Sequence, residues 1–183
     1  MKKKSSYFFI AIFPFIFFSS FIIDDSHNFP VPPKTDDLLF YLQRTVNTNT
    51  VIYELNKNER GEVNLIEPIK INWIRYADDS TKESLNYIQR TFAYGIETTL
   101  IDAQKKSFSF HFVSYEKKEL FLLKSAYDNK YHVYIDINGN PSILDNIFVK
   151  IEGGTYWFPN IKYVEVKGKS PVTKEGVEEK IKP

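Results

Sequence analysis

The chain has 183 residues, of which 43% are hydrophobic and 26% charged, a composition typical of globular proteins and not of disordered ones. Its 24 basic and 23 acidic residues leave a formal net charge of +1, which argues against a nucleic-acid-binding protein and against an acidic solvating chain. The sequence contains no cysteine, so disulfide bonds, cysteine-ligated zinc, a thiol nucleophile and a lipid-modified N-terminal cysteine are all excluded.

Residues 1–23 have the layout of a secretory signal peptide or of an N-terminal membrane anchor. Three lysines near the start are followed by an apolar run from Tyr7 to Phe18. Such a run enters the bilayer while the lysines stay on the cytoplasmic side. Because no pair of small residues suited to cleavage precedes Asp24, an uncleaved anchor is the alternative. We therefore expect an exported protein of the periplasm or cell envelope, which contacts the membrane only through residues 1–23 if they are retained.

Polar and proline-rich segments bound one domain. Residues 24–35 contain three prolines, which remove backbone donors and favour an extended linker. Residues 169–183 are rich in charge and poor in apolar side chains, and this composition predicts a flexible polar tail. A single β-rich domain over residues 36–168 remains, and it is long enough for one substantial hydrophobic core.

Alternation of apolar and polar residues predominates inside this domain and predicts β-strands. In chain order, the predicted strands are Leu38–Thr45, Thr50–Asn56, Ile69–Tyr76, Tyr94–Ile101, Ser107–Tyr115, Leu120–Ala126, Tyr131–Ile137, Ile147–Glu152 and Tyr156–Val166. The Asn138-Gly139 and Gly153-Gly154 pairs favour hairpin turns. Pro159 must lie at an edge or a bulge because it has no N–H to donate. The pattern predicts a mainly β fold, either an antiparallel β-barrel or a β-sandwich of about eight or nine strands.

One short helix is predicted near Thr81–Thr91. Ser80 and Glu83 have the spacing of a capping box, in which a hydroxyl and a carboxylate satisfy the first free N–H groups of a helix. Apolar residues then recur on one face of the segment. Gly95 lies near the expected end of this helix.

Three of the four arginines lie in apolar and aromatic runs, and they are the most specific local feature of the sequence. Arg44, Arg75 and Arg90 could form a binding patch for an anionic ligand, with Tyr41 and Tyr76 as stacking partners. A guanidinium in such a run must be paired, stacked on a ring or presented to an anion. The alternative is a set of internal ion pairs or cation–π pairs that stabilise the fold.

An acid–base cluster is the rival candidate site. His111, His132 and Asp136 lie on two predicted strands and could meet in space if those strands are neighbours. The alternative is that they are ordinary polar residues on a strand face. Because the sequence lacks the spacing of known metal and nucleotide motifs, we predict neither a metal site nor a cofactor.

The aromatic row of Phe108, Phe110 and Phe112 has two interpretations. Three phenylalanines at alternate positions of one strand point to the same face, which is most simply the hydrophobic core. If the strands close into a barrel, the same row could instead line an apolar ligand cavity.

Several motifs in order resemble one known family, the exported bacterial proteins grouped as domain of unknown function 4833. The segments that carry the resemblance are Phe40–Arg44, Asn47–Tyr53, Trp73–Tyr76, Tyr87–Arg90 with Phe92–Gly95, and Phe148–Thr155. The similarity covers about residues 36–168. It implies a secreted or envelope location, and it implies no activity, catalytic residue or cofactor.

Two classes of function remain open from the sequence. The first is a non-catalytic binding or structural module of the cell envelope, for an anionic or amphipathic small ligand. It is favoured because no nucleophile–base or metal-ligand spacing is visible. The second is a hydrolase-type envelope enzyme whose acid–base site assembles from separate strands.

We predict that cells expressing the full chain export it. The apolar run behind three lysines should direct the protein to the membrane and across it. Cell fractionation followed by N-terminal sequencing of the product tests this and shows whether residues 1–23 are removed. An intact product in the soluble cytoplasmic fraction would overturn the prediction.

Overall fold

The computed structural model describes residues 29–155 and 158–182. The predicted signal peptide or anchor at residues 1–23 therefore lies outside the described residues, as does the start of the linker. Across the two described ranges, no helix has the length and apolar character needed to cross a membrane.

Eleven strands and one helical segment form the described part of the chain. The strands are β1 (Leu38–Arg44), β2 (Asn47–Leu55), β3 (Ile69–Ile74), β4 (Lys82–Ser84), β5 (Ile96–Asp102), β6 (Ser107–Phe112), β7 (Tyr115–Lys124), β8 (Tyr131–Ile137), β9 (Asn140–Gly154), β10 (Pro159–Lys169) and β11 (Gly176–Ile181). Between β4 and β5 lie a single turn of α-helix, α1 (Tyr87–Gln89), and a π-helical turn (Arg90–Tyr94). The predicted mainly β class is confirmed.

Nine strands follow one another in the order β4-β3-β2-β1-β9-β8-β7-β6-β5 and curl into a half-barrel. Strand β9 joins its two halves. One edge of β9 pairs with β10 from Ile143 to Gly154. The other edge pairs first with β8, over Asn140–Ile143, and then with β1, over Asn146–Val149. Among the described strand pairs, β1 and β9 are the pair that runs parallel. This pair departs from the predicted antiparallel arrangement, and through it both halves of the sheet contact β9.

The core lies between the two halves of the half-barrel. Phe40 of β1 stacks on Tyr53 of β2 with ring centroids 4.2 Å apart. Phe112 of β6, in the other half, meets both rings edge-on at 6.2 and 5.7 Å. The predicted row of Phe108, Phe110 and Phe112 is buried in this core. These edge-on contacts hold the halves together and add to the stability gained from buried area.

The buried phenol of Tyr53 fixes the segment that follows the helical turn. Its hydroxyl donates a hydrogen bond of 2.9 Å to the carbonyl of Tyr94. Complete burial raises the pKa of Tyr53 well above its ordinary value, so the group stays a neutral donor. This hydrogen bond satisfies a polar group that would otherwise be costly to bury.

The helix begins later than the sequence predicted. Ser80 lies in a turn with φ of 60°, and β4 occupies the first part of the predicted helix. The capping box is formed instead by Asn86 and Gln89: the side chain of each accepts a hydrogen bond from the backbone N–H of the other. The helical turn ends at Gly95, as expected. Glycine is needed at this position because a Cβ would collide with the carbonyl oxygen of Arg90.

The described part of the proline-rich linker packs against the domain. The ring of Phe29 contacts Phe148 edge-on, with centroids 5.4 Å apart. Gln43 donates a hydrogen bond of 2.8 Å from Nε2 to the carbonyl of Pro30, and Pro32 is buried. Gln43 and Phe148 are paired neighbours on β1 and β9. Residues 29–32 therefore cover the convex face of the sheet at the point where β1 meets β9.

The C-terminal segment also differs from the expected flexible tail. Strand β10 runs to Lys169, and β11 pairs with it from Gly176 to Ile181. Val177 and Ile181 pack against the core, and Asn138 donates a hydrogen bond of 2.9 Å to the carbonyl of Glu178. The charged composition was misleading because β11 is an edge strand whose alternate residues Val177, Glu179 and Ile181 are partly buried while the others face solvent.

We predict that deleting residues 176–183 destabilises the protein. The deletion exposes the core contacts of Val177 and Ile181, and the free energy of unfolding should fall by about 2 kcal/mol. Thermal denaturation followed by circular dichroism should show a midpoint lower by roughly 4–8 °C. Truncation after Ile181 is the control and should leave the midpoint unchanged. An equal midpoint for both truncations would contradict the role of β11.

Candidate functional site

Arg44 lies between two aromatic rings at the end of β1. Its guanidinium carbon is 5.1 Å from the centroid of Trp73 and 5.2 Å from that of Tyr94. The two rings contact each other with centroids 5.6 Å apart. The Nε atom of Arg44 is buried and has no hydrogen-bond partner among the described residues. This arrangement is a cation–π pair built into the rim of the core.

Arg75 and Arg90 are bound to carboxylates. Arg75 donates from Nη1 to Glu83 at 3.0 Å and from Nε to Asp78 at 3.2 Å. The hydrogen bond to Glu83, followed by the one to Asp78, raises the pKa of Arg75. Arg90 contacts Glu67 at 3.2 Å. Both pairs are exposed to solvent, where such interactions contribute little to stability.

Tyr41 and Tyr76 are not the rings that stack on Arg44. Tyr41 lies between Phe40 and Leu42, which both point into the core, so its side chain is on the convex face of the sheet. Burial and then the charge of Asp145 raise the pKa of Tyr41. Burial also raises the pKa of Tyr76, which follows the end of β3. The stacking partners are Trp73 and Tyr94, which were not among the residues predicted from the sequence. The alternation of residues along β3 could have identified Trp73 as a partner inside the domain, because it places Trp73 with Ile71 on the core face.

The structure gives the two strand histidines separate partners. Nε2 of His132 lies 2.8 Å from Oδ2 of Asp128, and this hydrogen bond is the main cause that lowers the pKa of Asp128 to about 2. Nε2 of His111 lies 3.5 Å from Oε2 of Glu97. Asp136 accepts a hydrogen bond of 2.8 Å from the N–H of Gly139, as an ordinary turn residue.

Strand register keeps the members of this cluster apart. His132 of β8 is paired with Leu123 of β7. The register between β7 and β6, extended by one residue, places Leu123 opposite Ser107, which is four residues before His111. That distance along a strand is about 13 Å, and β7 adds a separation of about 10 Å between the backbones of β6 and β8. Within the described ranges, no group of three or more His, Asp or Glu side chains could hold a metal ion.

An apolar cavity of about 220 Å³ opens on the inner face of the sheet. Seven strands, β1 and β6 to β11, contribute to its wall. Residues that line it include Leu42, Phe112, Ile135, Ile147, Val164 and Val166. Tyr115 and Ile161 are partly exposed and mark its opening. Phe112 therefore packs in the core and also lines a cavity, so both interpretations of the phenylalanine row apply to this residue.

Polar groups are few in this cavity and lie at one side. The lining includes the hydroxyl-bearing Ser114 and the ammonium group of Lys118. Lys118 forms an ion pair of 2.8 Å with Glu179 of β11, and this contact is the main cause that lowers the pKa of Glu179. The cavity therefore offers an apolar interior with polar groups at one side, an arrangement that fits an amphipathic molecule.

Comparison with known proteins gave one family match. A family model described as Domain of unknown function (DUF4833) matches residues 40–180. The match extends through most of β11. Neither a search of curated proteins nor a search of solved structures gave a match.

We predict that Arg44→Ala destabilises the fold without any ligand. The change removes the stacked guanidinium and its aliphatic stem from between two rings, at a cost of about 2 kcal/mol. Arg75→Ala is the matched control, since it breaks only exposed ion pairs and should leave the thermal midpoint nearly unchanged. If Arg44→Ala is as stable as Arg75→Ala, the guanidinium of Arg44 has no structural role.

Proposed function

The chain belongs to the DUF4833 family, and from this premise we propose that it is a non-catalytic binding module of the bacterial cell envelope. Its site is the apolar cavity lined by Leu42, Phe112 and Val164, which takes the apolar part of a small amphipathic ligand. The polar end of the ligand lies at the opening. The single observation that carries the proposal is the size of this cavity together with its nearly complete apolar lining.

The volume supports a ligand of modest size. Protein interiors are normally packed with few voids larger than a water molecule. An engineered apolar cavity of about 150 Å³ binds benzene, so about 220 Å³ suits a short acyl chain or a single ring with a substituent. Apolar side chains that line such a cavity lack contacts on one side. A ligand that fills it supplies part of those contacts.

The position of Lys118 supports a polar or anionic head group on the ligand. Its ammonium group has three donors, and the ion pair with Glu179 uses one of them. Ser114 lies in the same wall; its hydroxyl donates a hydrogen bond of 2.7 Å to the carbonyl of Ala93 and can still accept one from a ligand. An amphipathic molecule can therefore bury its apolar end while its head group remains hydrogen-bonded.

The arginine patch and the acid–base cluster have less support as sites. Arg75 and Arg90 are already bound to carboxylates, and Arg44 is held between two rings. His111 and His132 have partners of their own and lie on non-adjacent strands. The cell-envelope location rests on the layout of residues 1–23 and on the location implied by the family resemblance.

We predict that octanoate binds in the cavity and raises the thermal midpoint of the protein purified after expression of the full chain. Val164→Phe fills the cavity and should abolish this shift while keeping the midpoint of the free protein, because the new ring occupies empty apolar space. Val172→Phe is the matched control: Val172 is 66% exposed in a turn, so octanoate should still act.

A second variant tests the same cavity if Val164→Phe does not fold. Val166→Ala enlarges the same cavity, and it should move the preferred ligand from octanoate to a longer fatty acid. Isothermal titration calorimetry over a series from hexanoate to dodecanoate measures this change. The proposal is wrong if no member of the series binds, or if both cavity variants bind the series like the unmodified protein.

A further inference from the structure

A second cavity lies at the opposite end of β6 and β7 from the apolar one. It is an open cleft of about 1070 Å³, and the two cavities share no lining residue. Three connections form its walls: the loop from β2 to β3, the turn from β5 to β6, and the loop from β7 to β8. Its volume is in the range of sites for small ligands of several rings.

Lysines from all three connections converge on this cleft. The lining contains Lys57, Lys105, Lys106, Lys124 and Lys130, against the three carboxylates of Asp36, Glu62 and Asp102. The cleft therefore carries a net charge of +2 from its lining residues. A positive concave surface attracts anions and raises their local concentration.

The lysines keep donors free for a ligand. Lys106 contacts Glu62 at 3.3 Å, and this pair links two walls of the cleft. Lys130 contacts Asp36, which precedes β1, at 2.7 Å. Each ammonium group has three donors, and exposed ion pairs are weak enough for a bound anion to share them. Lys124, at the end of β7, is exposed and belongs to the same lining.

A hydrogen-bonded turn brings the backbone of one of these lysines to the cleft. Lys106 has φ of 50°, a conformation that residues other than glycine rarely adopt. The preceding turn is held by Asp102, whose Oδ1 accepts hydrogen bonds from the N–H groups of Gln104 at 2.8 Å and Lys105 at 3.0 Å. This turn therefore places Lys106 in the lining of the cleft.

The remaining lining groups suit hydroxyl groups and the apolar face of a ring. Glu62, Asp102 and Gln104 supply acceptors for hydroxyl groups. Leu55 and Tyr131 supply an apolar floor. A bare inorganic anion would make no use of these acceptors, and a neutral sugar would make no use of the net positive charge.

We propose that this cleft binds an acidic saccharide, in which a sugar ring carries a carboxylate or a phosphate. The anionic group is bound by Lys106 and Lys124, and the sugar hydroxyls donate to the carboxylates and amides of the walls. The site is independent of the proposed function, since it uses different residues from those of the apolar cavity.

Chemical-shift titration of the protein labelled with ¹⁵N, expressed as the full chain, tests the proposal. The probes are glucuronate and glucose 6-phosphate, with glucose and inorganic phosphate as separate controls. Either acidic sugar should shift the amide signals of Gly61, Lys106 and Asn129, which belong to the three walls. Comparison of the two acidic sugars shows whether the carboxylate or the phosphate is preferred.

Lys106→Gly is the decisive variant because glycine accepts the positive φ and keeps the turn. It should bind the preferred acidic sugar about tenfold more weakly, since it loses one charge-assisted hydrogen bond. Lys174→Gly is the matched control: Lys174 also has a positive φ, of 63°, and it does not line the cleft. This control should bind like the unmodified protein.

Three results would overturn the proposal. The first is the absence of cleft shifts with both acidic sugars. The second is equal binding of glucose and glucuronate, or of inorganic phosphate and glucose 6-phosphate, which would show that one half of the ligand suffices. The third is equal affinity of the Lys106→Gly and Lys174→Gly variants for the preferred sugar.

Discussion

The pairing of β9 on both edges is the constraint on which the rest of the structure depends. A strand has two edges, and β10 occupies one of them along most of the length of β9. Strands β8 and β1 must therefore share the other edge, one after the other. The two halves of the sheet are tied to one strand in this way, and they can bury their apolar faces only by curling towards each other.

The core and both cavities follow from that curl. Between the halves, Phe112 meets Phe40 and Tyr53 edge-on. Away from this contact the halves diverge. One side leaves the apolar cavity beneath β10, and the far ends of β6 and β7 leave the cleft lined by lysines. The same curvature therefore places the apolar cavity and the cleft lined by lysines at opposite ends of one sheet.

The three arginines of the predicted binding patch each have separate partners. Arg75 pairs with Glu83 nearby in the chain and Arg90 with Glu67 of the connection between β2 and β3, while Arg44 contacts the rings of Trp73 and Tyr94. A guanidinium held by two rings is less hydrated than one in solvent, and its geometry is fixed. His111 and His132 are separated because an intervening strand, β7, lies between theirs. The chemical groups suggested by the sequence are thus present, and they are distributed over several places.

The sequence by itself determined the properties that depend on neighbouring residues. Alternation along β6 fixed the buried row of Phe108, Phe110 and Phe112, and the pair Asn138-Gly139 fixed a hairpin, because side-chain direction and turn geometry are local. The tertiary structure alone decided which strand edges pair, that Asn86 and not Ser80 caps the helix, and that the charged segment after Lys169 adds a strand. It also decided that Arg44 meets Trp73 and Tyr94. These outcomes depend on contacts between residues far apart in the chain, and the free energy of such contacts outweighs local propensity.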